Sequence, residues 1–243
     1  MTDFEARNAR LTEAMATDPD LRRLTRAWFD RVSTYEYSYH FTWLGLPIIQ
    51  FPQDILAVQE IAWRVRPDVI IETGIARGGS LILSASLLEL LGGDGRVIGI
   101  DIDIRAPNRR AIESHPLARR ITMIEGSSTD AAVVEHVRRL VSGASRLLVL
   151  LDSNHTHEHV LQELRLYSPL VTPGSYVIVF DTIIESMPVD AFPERPWGRG
   201  DNPATAVQAF LAENDRFVVD EDIDRKLLIS VSPGGYLQCV GEP

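Results

Sequence analysis

Asp68-Val69-Ile70-Ile71-Glu72-Thr73-Gly74-Ile75-Ala76-Arg77-Gly78-Gly79-Ser80 runs from an apolar segment through an acid into a glycine turn. The apolar run that follows, residues 81–91, reads as a helix. A buried strand feeding a glycine turn and a helix N-terminus is how α/β proteins hold a nucleotide-like ligand. Gly74, Arg77, Gly78, Gly79 and Ser80 are therefore candidate cofactor-binding residues. Glu72 narrows the choice of ligand. A diphosphate does not welcome a carboxylate there, whereas a cationic cofactor does, which points to S-adenosyl-L-methionine. Glu72 would then hold the methionine amine through a water or the loop, or offset the sulfonium charge. The amides of residues 78–80 would receive the cofactor's carboxylate. Gly74, Ala76 and Gly79 also fit a loose G-x-A-x-x-G pattern. An NAD-dependent oxidoreductase therefore stays open, as does a tight turn that binds nothing.

The surrounding chain supports a soluble α/β enzyme. Its 243 residues suit one large domain with an appendage, and 45% hydrophobic content is ordinary for a globular protein. With 34 acids against 24 bases the net charge is −10, which argues against nucleic acid as a partner. A lone cysteine, Cys239, excludes an intrachain disulfide. Residues 1–10 lack the apolar core of a signal peptide. The longest strictly apolar run, residues 147–151, is far short of a membrane span, so no membrane association and a cytoplasmic location are expected.

Residues 1–34 carry apolar positions at helical spacing, broken near Asp18-Pro19-Asp20, and predict a helical N-terminal arm. Residues 35–52, YEYSYHFTWLGLPIIQFP, are rich in aromatics and too irregular for a regular element. They read as core plugs or as the wall of a ligand pocket. The expected division is an arm with a lid-like aromatic segment over 1–52 and a Rossmann-like domain over 53–243. Asp54 is expected to cap the helix that opens the second part. Strands are expected at 69–72, 96–101, 121–125, 147–152 and 175–181, alternating with helices at 80–91, 108–115, 131–141 and 157–167. A helix at 203–214 and a strand at 217–219 follow. A closing hairpin would pair 227–231 with 236–240 around Ser232-Pro233-Gly234-Gly235. This alternation predicts a doubly wound, mostly parallel sheet with an antiparallel terminal hairpin.

Ligands in such sheets bind outside the carboxyl ends of the strands. All five expected parallel strands end in an acid. Asp101 would accept both ribose hydroxyls, with Asp103 as its substitute; a loop salt bridge to Arg105 is the alternative. Ser127 and Ser128 lie where hydroxyls and amides would meet the adenine. Asp152 and Asp181 end strongly apolar strands, and two carboxylates at adjacent strand ends repel unless a cation sits between them. Oxygen ligands favour Mg²⁺, or Mn²⁺ or Ca²⁺, with Thr182 or Asn154 adding a neutral oxygen. The alternative is pairing with Arg165 or Arg199. His155, three residues after Asp152, is placed to take a proton from a metal-bound hydroxyl as its oxygen attacks a methyl group. Asp152 thus counts as a metal, catalytic and cofactor-facing residue. His155 and His159 also stand at i, i+4, a spacing that chelates zinc or iron.

With these residues in place, the sequence resembles the rhamnosyl O-methyltransferase and cephalosporin hydroxylase family of natural-product methyltransferases. The likeness rests on FTWLGLPIIQFPQDILAVQE, PDVIIETGIARGGS, IEGSSTD, LDSNH and VFDT, and runs from about Tyr37 to Val240. It implies a seven-stranded class I methyltransferase sheet, homo-oligomers, S-adenosyl-L-methionine, and Mg²⁺ on Asp152 and Asp181. Several sugar methyltransferases place a histidine where His155 stands. Relatives often have Glu-Asp at the end of the fifth strand, where this chain has Phe180-Asp181. One metal ligand is then missing or replaced by Thr182. The resemblance implies a small-molecule glycoside acceptor, such as a rhamnosyl group in antibiotic biosynthesis, with a non-sugar acceptor such as a beta-lactam intermediate as the alternative. Tyr37, Phe41, Trp43, Trp197 and Arg199 would shape that pocket.

Overall fold

The structure is a computed structural model and describes residues 2–241. Five parallel strands form its centre: β3 (Val69–Thr73), β4 (Arg96–Asp101), β5 (Ile121–Glu125), β6 (Leu147–Leu151) and β7 (Tyr176–Val179). β8 (Phe217–Val219) and β9 (Tyr236–Cys239) complete a sheet of order β5-β4-β3-β6-β7-β9-β8, in which β9 runs antiparallel to both neighbours. Side chains alternate between the two faces because the strand period is two. Ile70, Val97, Leu148, Leu150 and Ile178 join one core, under α3 (Pro52–Val65) and α4 (Gly79–Leu91). Ile71, Ile98, Ile100, Val149 and Val177 join the other, under α6 (Ala131–Val141), α7 (His157–Tyr167) and α8 (Pro203–Glu213). Strands covered on both faces read as continuous apolar runs, which is why LLVLL was legible as a strand.

The antiparallel pair at the sheet's end is built from other residues than expected. Residues 227–231 form no strand. The partner of β9 is β8, and α9 (Glu221–Leu227) lies between them. The tertiary cause is Asp54. It is buried at the third position of α3 and caps nothing; Phe51 precedes the helix without a side-chain cap. Its carboxylate accepts from the Ser230 hydroxyl (2.5 Å), the Tyr236 hydroxyl (2.6 Å) and the Val231 amide (3.0 Å), tying 230–231 to α3 instead of a strand ladder. Burial pushes its carboxyl up to about 6, with the hydroxyl and amide donors opposing.

The N-terminal arm is two helices, α1 (Asp3–Thr17) and α2 (Pro19–Ser33), broken at Asp18, whose side chain caps the second. Arg225 on α9 reaches Glu13 at 3.5 Å, and Arg26 donates to the Ser186 hydroxyl at 2.7 Å. The aromatic segment is more regular than its composition suggested. β1 (Phe41–Trp43) and β2 (Leu46–Ile48) pair as a ribbon around Leu44-Gly45. Both turn residues have positive φ, 45° and 97°, the geometry of a two-residue hairpin loop. Leu at the first of these positions hides the turn from a sequence reading. Among the described residues no helix is long and apolar enough to cross a membrane.

Candidate functional site

The carboxyl ends of β3, β4, β5 and β6 open into two adjoining hollows. One, of about 420 Å³, is lined by Asp101, Ile102, Gly126, Ser127, Ser128, Ser153, Asn154 and His159 among others. The other, of about 300 Å³, is lined by Gln50, Arg77, Gly78, Gly79, Ser80 and Asp152 among others, and Gly74 borders both.

The glycine turn is pinned from two sides. Gly74 has φ 91°, and a Cβ there would stand 2.1 Å from the Asp152 carbonyl oxygen. A Cβ on Gly79 would stand 2.3 Å from the Pro47 carbonyl, because the β1–β2 ribbon crosses the start of α4. Asp101 braces the turn from below. One carboxylate oxygen accepts from the Ile75 amide (2.8 Å) and the Ala76 amide (3.1 Å); the other accepts from the Asp103 amide (3.1 Å). The residue expected to grip a ribose therefore first shapes the loop. Asp103 is left as the exposed carboxylate beside it, 3.8 Å from Arg105. Ser127 turns its hydroxyl to Thr129 at 3.0 Å while lining the larger hollow.

Glu72 lies beneath the turn and lines neither hollow. It is 2% exposed; Ser80 donates its hydroxyl to one carboxyl oxygen, and the other has no partner. Burial pushes this carboxyl up to about 8, against the lowering effect of the Ser80 bond. At neutral pH the carboxyl is mostly protonated.

At the β6 and β7 ends, Asp152, His155 and Asp181 each offer a ligand atom, all within 4.8 Å of one another. His155 Nε2 stands 3.3 Å from an Asp181 oxygen, and its ring meets Trp197 edge-on at 4.9 Å between centroids. Burial, then the charge of Asp181, push the Asp152 carboxyl well above its ordinary range. Asp181 itself adopts a left-handed conformation, φ 57° and ψ 22°, which Asp tolerates better than most residues. Two facing carboxylates with an imidazole beside them suit a divalent cation, which would relieve the repulsion. Among the described residues no arginine forms an ion pair with Asp152 or Asp181. Arg165 forks onto Glu213 at 2.6 and 2.8 Å, and exposed Arg199 influences Glu185 instead.

Not every expected residue joins this cluster. The Thr182 hydroxyl is buried and donates to the Pro233 carbonyl at 2.8 Å. Phe180 is in the core, so no second acid stands beside Asp181. His159 does not pair with His155; it bonds toward Ser128 (3.1 Å) and Ser153 (3.2 Å). The aromatic segment divides. Tyr37 is enclosed by Trp28, Phe41 and Phe51, and Trp43 donates its indole N–H to Ser86 on α4 at 3.0 Å. These rings fasten the arm and ribbon, whereas Trp197 touches the cluster.

Three contributors escaped the sequence reading. Ile102, 75% exposed, is an apolar side chain at the rim of the larger hollow. Its place between two eye-catching acids hid it. Gln50 lines the smaller hollow with its amide oxygen buried and unpartnered. A single amide between Ile49 and Phe51-Pro52 was the available signal. Glu163 is fully buried behind His159, and their i, i+4 spacing on α7 was readable.

A family model described as Rhamnosyl O-methyltransferase/CmcI matches residues 35–240. A rhamnosyl O-methyltransferase from Mycobacterium tuberculosis (strain ATCC 25618 / H37Rv) is 31% identical over 202 residues, covering 81% of this chain and 77% of that protein. One from Mycobacterium leprae (strain TN) is 32% identical over 151 residues, 61% of this chain and 63% of that protein. Among solved structures, one described as cmcI-D160 Mg-SAM aligns with a TM-score of 0.59 at 24% identity, over 84% of this chain and 78% of that one. The O-methyltransferase from Bacillus cereus in complex with SAH aligns with a TM-score of 0.52 at 14% identity, over 97% of both chains. These two structures share the fold.

Proposed function

The chain belongs to the Rhamnosyl O-methyltransferase/CmcI family and is an O-methyltransferase, and from that premise we propose that it transfers the methyl group of S-adenosyl-L-methionine to a sugar hydroxyl, with Mg²⁺ held by Asp152 and Asp181. The observation that carries this reading is the meeting of the Asp152–His155–Asp181 cluster with the glycine-turn cleft, which Asp152 itself lines. The CmcI structure is described as carrying Mg and SAM, which supports the same cofactors here. The curated relatives act on rhamnosyl groups by name, which supports a small-molecule glycoside as acceptor. Residues up to 52 would then be the covering arm, and the remainder the catalytic domain.

Each part of the cleft has a task in this reading. The backbone N–H groups at 78–80, at the N-terminus of α4, receive the cofactor's carboxylate. Arg77 stands exposed at the same hollow and strengthens its positive character. Glu72, close to neutral without a ligand, ionises when the cationic end of the cofactor settles above it. Asp101 fixes the turn, Asp103 takes the ribose hydroxyls, and Ser127 and Ser128 face the adenine. When bound, a divalent cation between the two carboxylates offsets their charge and lowers the pKa of an acceptor hydroxyl beside it.

Mg²⁺ prefers oxygen, so the two aspartates hold it and the imidazole remains available as a base. The His155 imidazole takes the acceptor's proton as that oxygen forms its bond to the methyl carbon. The carbon–sulfur bond breaks and its electron pair stays on sulfur, leaving a methyl ether, S-adenosylhomocysteine and a protonated imidazole. Trp197 keeps the His155 ring edge-on and presents an apolar face to the sugar. Much of the rate comes from alignment of oxygen, carbon and sulfur. Incubation with methyl-labelled cofactor and paired acceptors, a rhamnosyl glycoside and its aglycone, tests the acceptor. Label is expected on the glycoside alone; label on the aglycone would overturn the sugar assignment.

A further inference from the structure

Behind the larger hollow lies a polar relay that the reaction does not use. Glu163 on α7 is 0% exposed. One of its carboxyl oxygens accepts the Ser153 hydroxyl at 2.7 Å and stands 3.4 Å from His159 Nε2; the other has no partner. His159 Nε2 also lies 3.2 Å from the Ser153 oxygen and 3.1 Å from the Ser128 oxygen. Ser128 is 4% exposed, and its carbonyl is held by the Tyr167 hydroxyl at 2.7 Å. Ser128, Ser153 and His159 all line the hollow; Glu163 does not.

With the Glu163 carboxylate accepting from Ser153, the remaining protons of the relay can be assigned. Ser153 has one hydroxyl proton, and Glu163 receives it. The Ser153 oxygen can then offer only lone pairs to His159. An imidazole nitrogen facing a carboxyl oxygen and a proton-spent hydroxyl oxygen carries its proton, so Nε2 is the N–H of the ring. An Nε2 that carries a proton has no lone pair to accept with. Ser128 therefore cannot donate to it, and the Ser128 proton is left to point into the hollow.

We propose that Glu163 and His159 are positioning residues that set Ser128 as a hydrogen-bond donor to an acceptor ring nitrogen of the cofactor's purine. The proposal rests on the reading of this hollow as the adenine site and adds the polarity of that site and the residues that impose it. Ser128 alone, with a free rotor, would serve donor and acceptor edges alike. The relay makes it selective for an acceptor, and the buried carboxyl holds the selection in place.

The test is calorimetric binding of S-adenosylhomocysteine and of its 1-deaza-, 3-deaza- and 7-deaza-adenine forms to the full chain. Wild type is expected to bind one of the three about tenfold more weakly than the parent, the effect of one neutral hydrogen bond. Ser128→Ala should weaken the parent about tenfold and bind that deaza form equally well. His159→Ala should reduce the discrimination to about threefold or less, and His159→Gln, which keeps an N–H donor, should restore part of it. Equal binding of all four ligands by wild type overturns the proposal, as does full discrimination by His159→Ala. A wild-type protein that binds none of the four contradicts the cofactor reading instead, so the two failures are distinguishable.

Discussion

The two halves of the cleft are built on opposite principles. At the β3–β4 ends the acids are engaged by the glycine turn itself: Asp101 accepts from three amides and Glu72 from the Ser80 hydroxyl. At the β6–β7 ends, Asp152 and Asp181 face each other with His155 beside them, and Arg165, one of the two candidate arginines, is committed to Glu213. The first half is a preformed mould; the second is held in electrostatic tension. Such a contact is relieved by a proton on Asp152 or by a bound cation, and groups set against each other in this way mark a candidate site for charge chemistry.

The largest expected effect breaks the second half alone. Asp181→Asn keeps a residue that tolerates the left-handed backbone but removes one charge. Methyl transfer should fall on the order of a thousandfold, in line with loss of a metal ligand or charge clamp. S-adenosylhomocysteine affinity, read by calorimetry, should change less than threefold. In metal-free buffer the melting temperature should rise, because the repulsion that raises Asp152 is gone. A variant that loses cofactor binding as well would show that the halves are not separate.

Gly74→Ala attacks the seam between them. Its Cβ would meet the Asp152 carbonyl at 2.1 Å, in a backbone with φ 91° that L-residues rarely adopt. A loss of roughly 3 kcal/mol in urea unfolding is expected, together with loss of both cofactor binding and transfer. An unchanged midpoint would place the seam elsewhere.

A smaller effect concerns Glu72 and pH. Its folded-state pKa of about 8 lies above the ordinary glutamate value of 4.5, so the native state holds a proton that the unfolded chain releases first. Stability from this group is full below about pH 4.5 and is lost as pH rises through about 8. Urea unfolding should show a loss on the order of 4 kcal/mol across that window. Glu72→Gln should flatten this part of the profile. Persistence of the full slope in the variant would assign it to Asp54 or Asp152 instead.

How much of this was legible followed from where the information lay. The five parallel strands were readable because both faces are covered, and the acids at their ends followed from topology. Asp152, His155 and Asp181 were found because each sits where an apolar run stops. What the sequence concealed was set by distant partners. Asp54 looked like a cap and is held by Ser230 and Tyr236, far along the chain. The 227–231 run looked like a strand and is tied down by that same carboxylate. Thr182 looked like a ligand, and its hydroxyl goes to Pro233. Asp101 kept its place at the cleft, but the amides it braces come from the turn it was expected merely to neighbour.

The claim that everything turns on is that the tension between Asp152 and Asp181 exists to hold a divalent cation. It is tested most directly by stripping the protein with EDTA and following methyl transfer to a rhamnosyl glycoside as Mg²⁺ is returned. The account predicts a baseline rate in EDTA and a saturable, single-site recovery that Asp181→Asn abolishes. An undiminished rate in EDTA, or equal recovery in the variant, would contradict it.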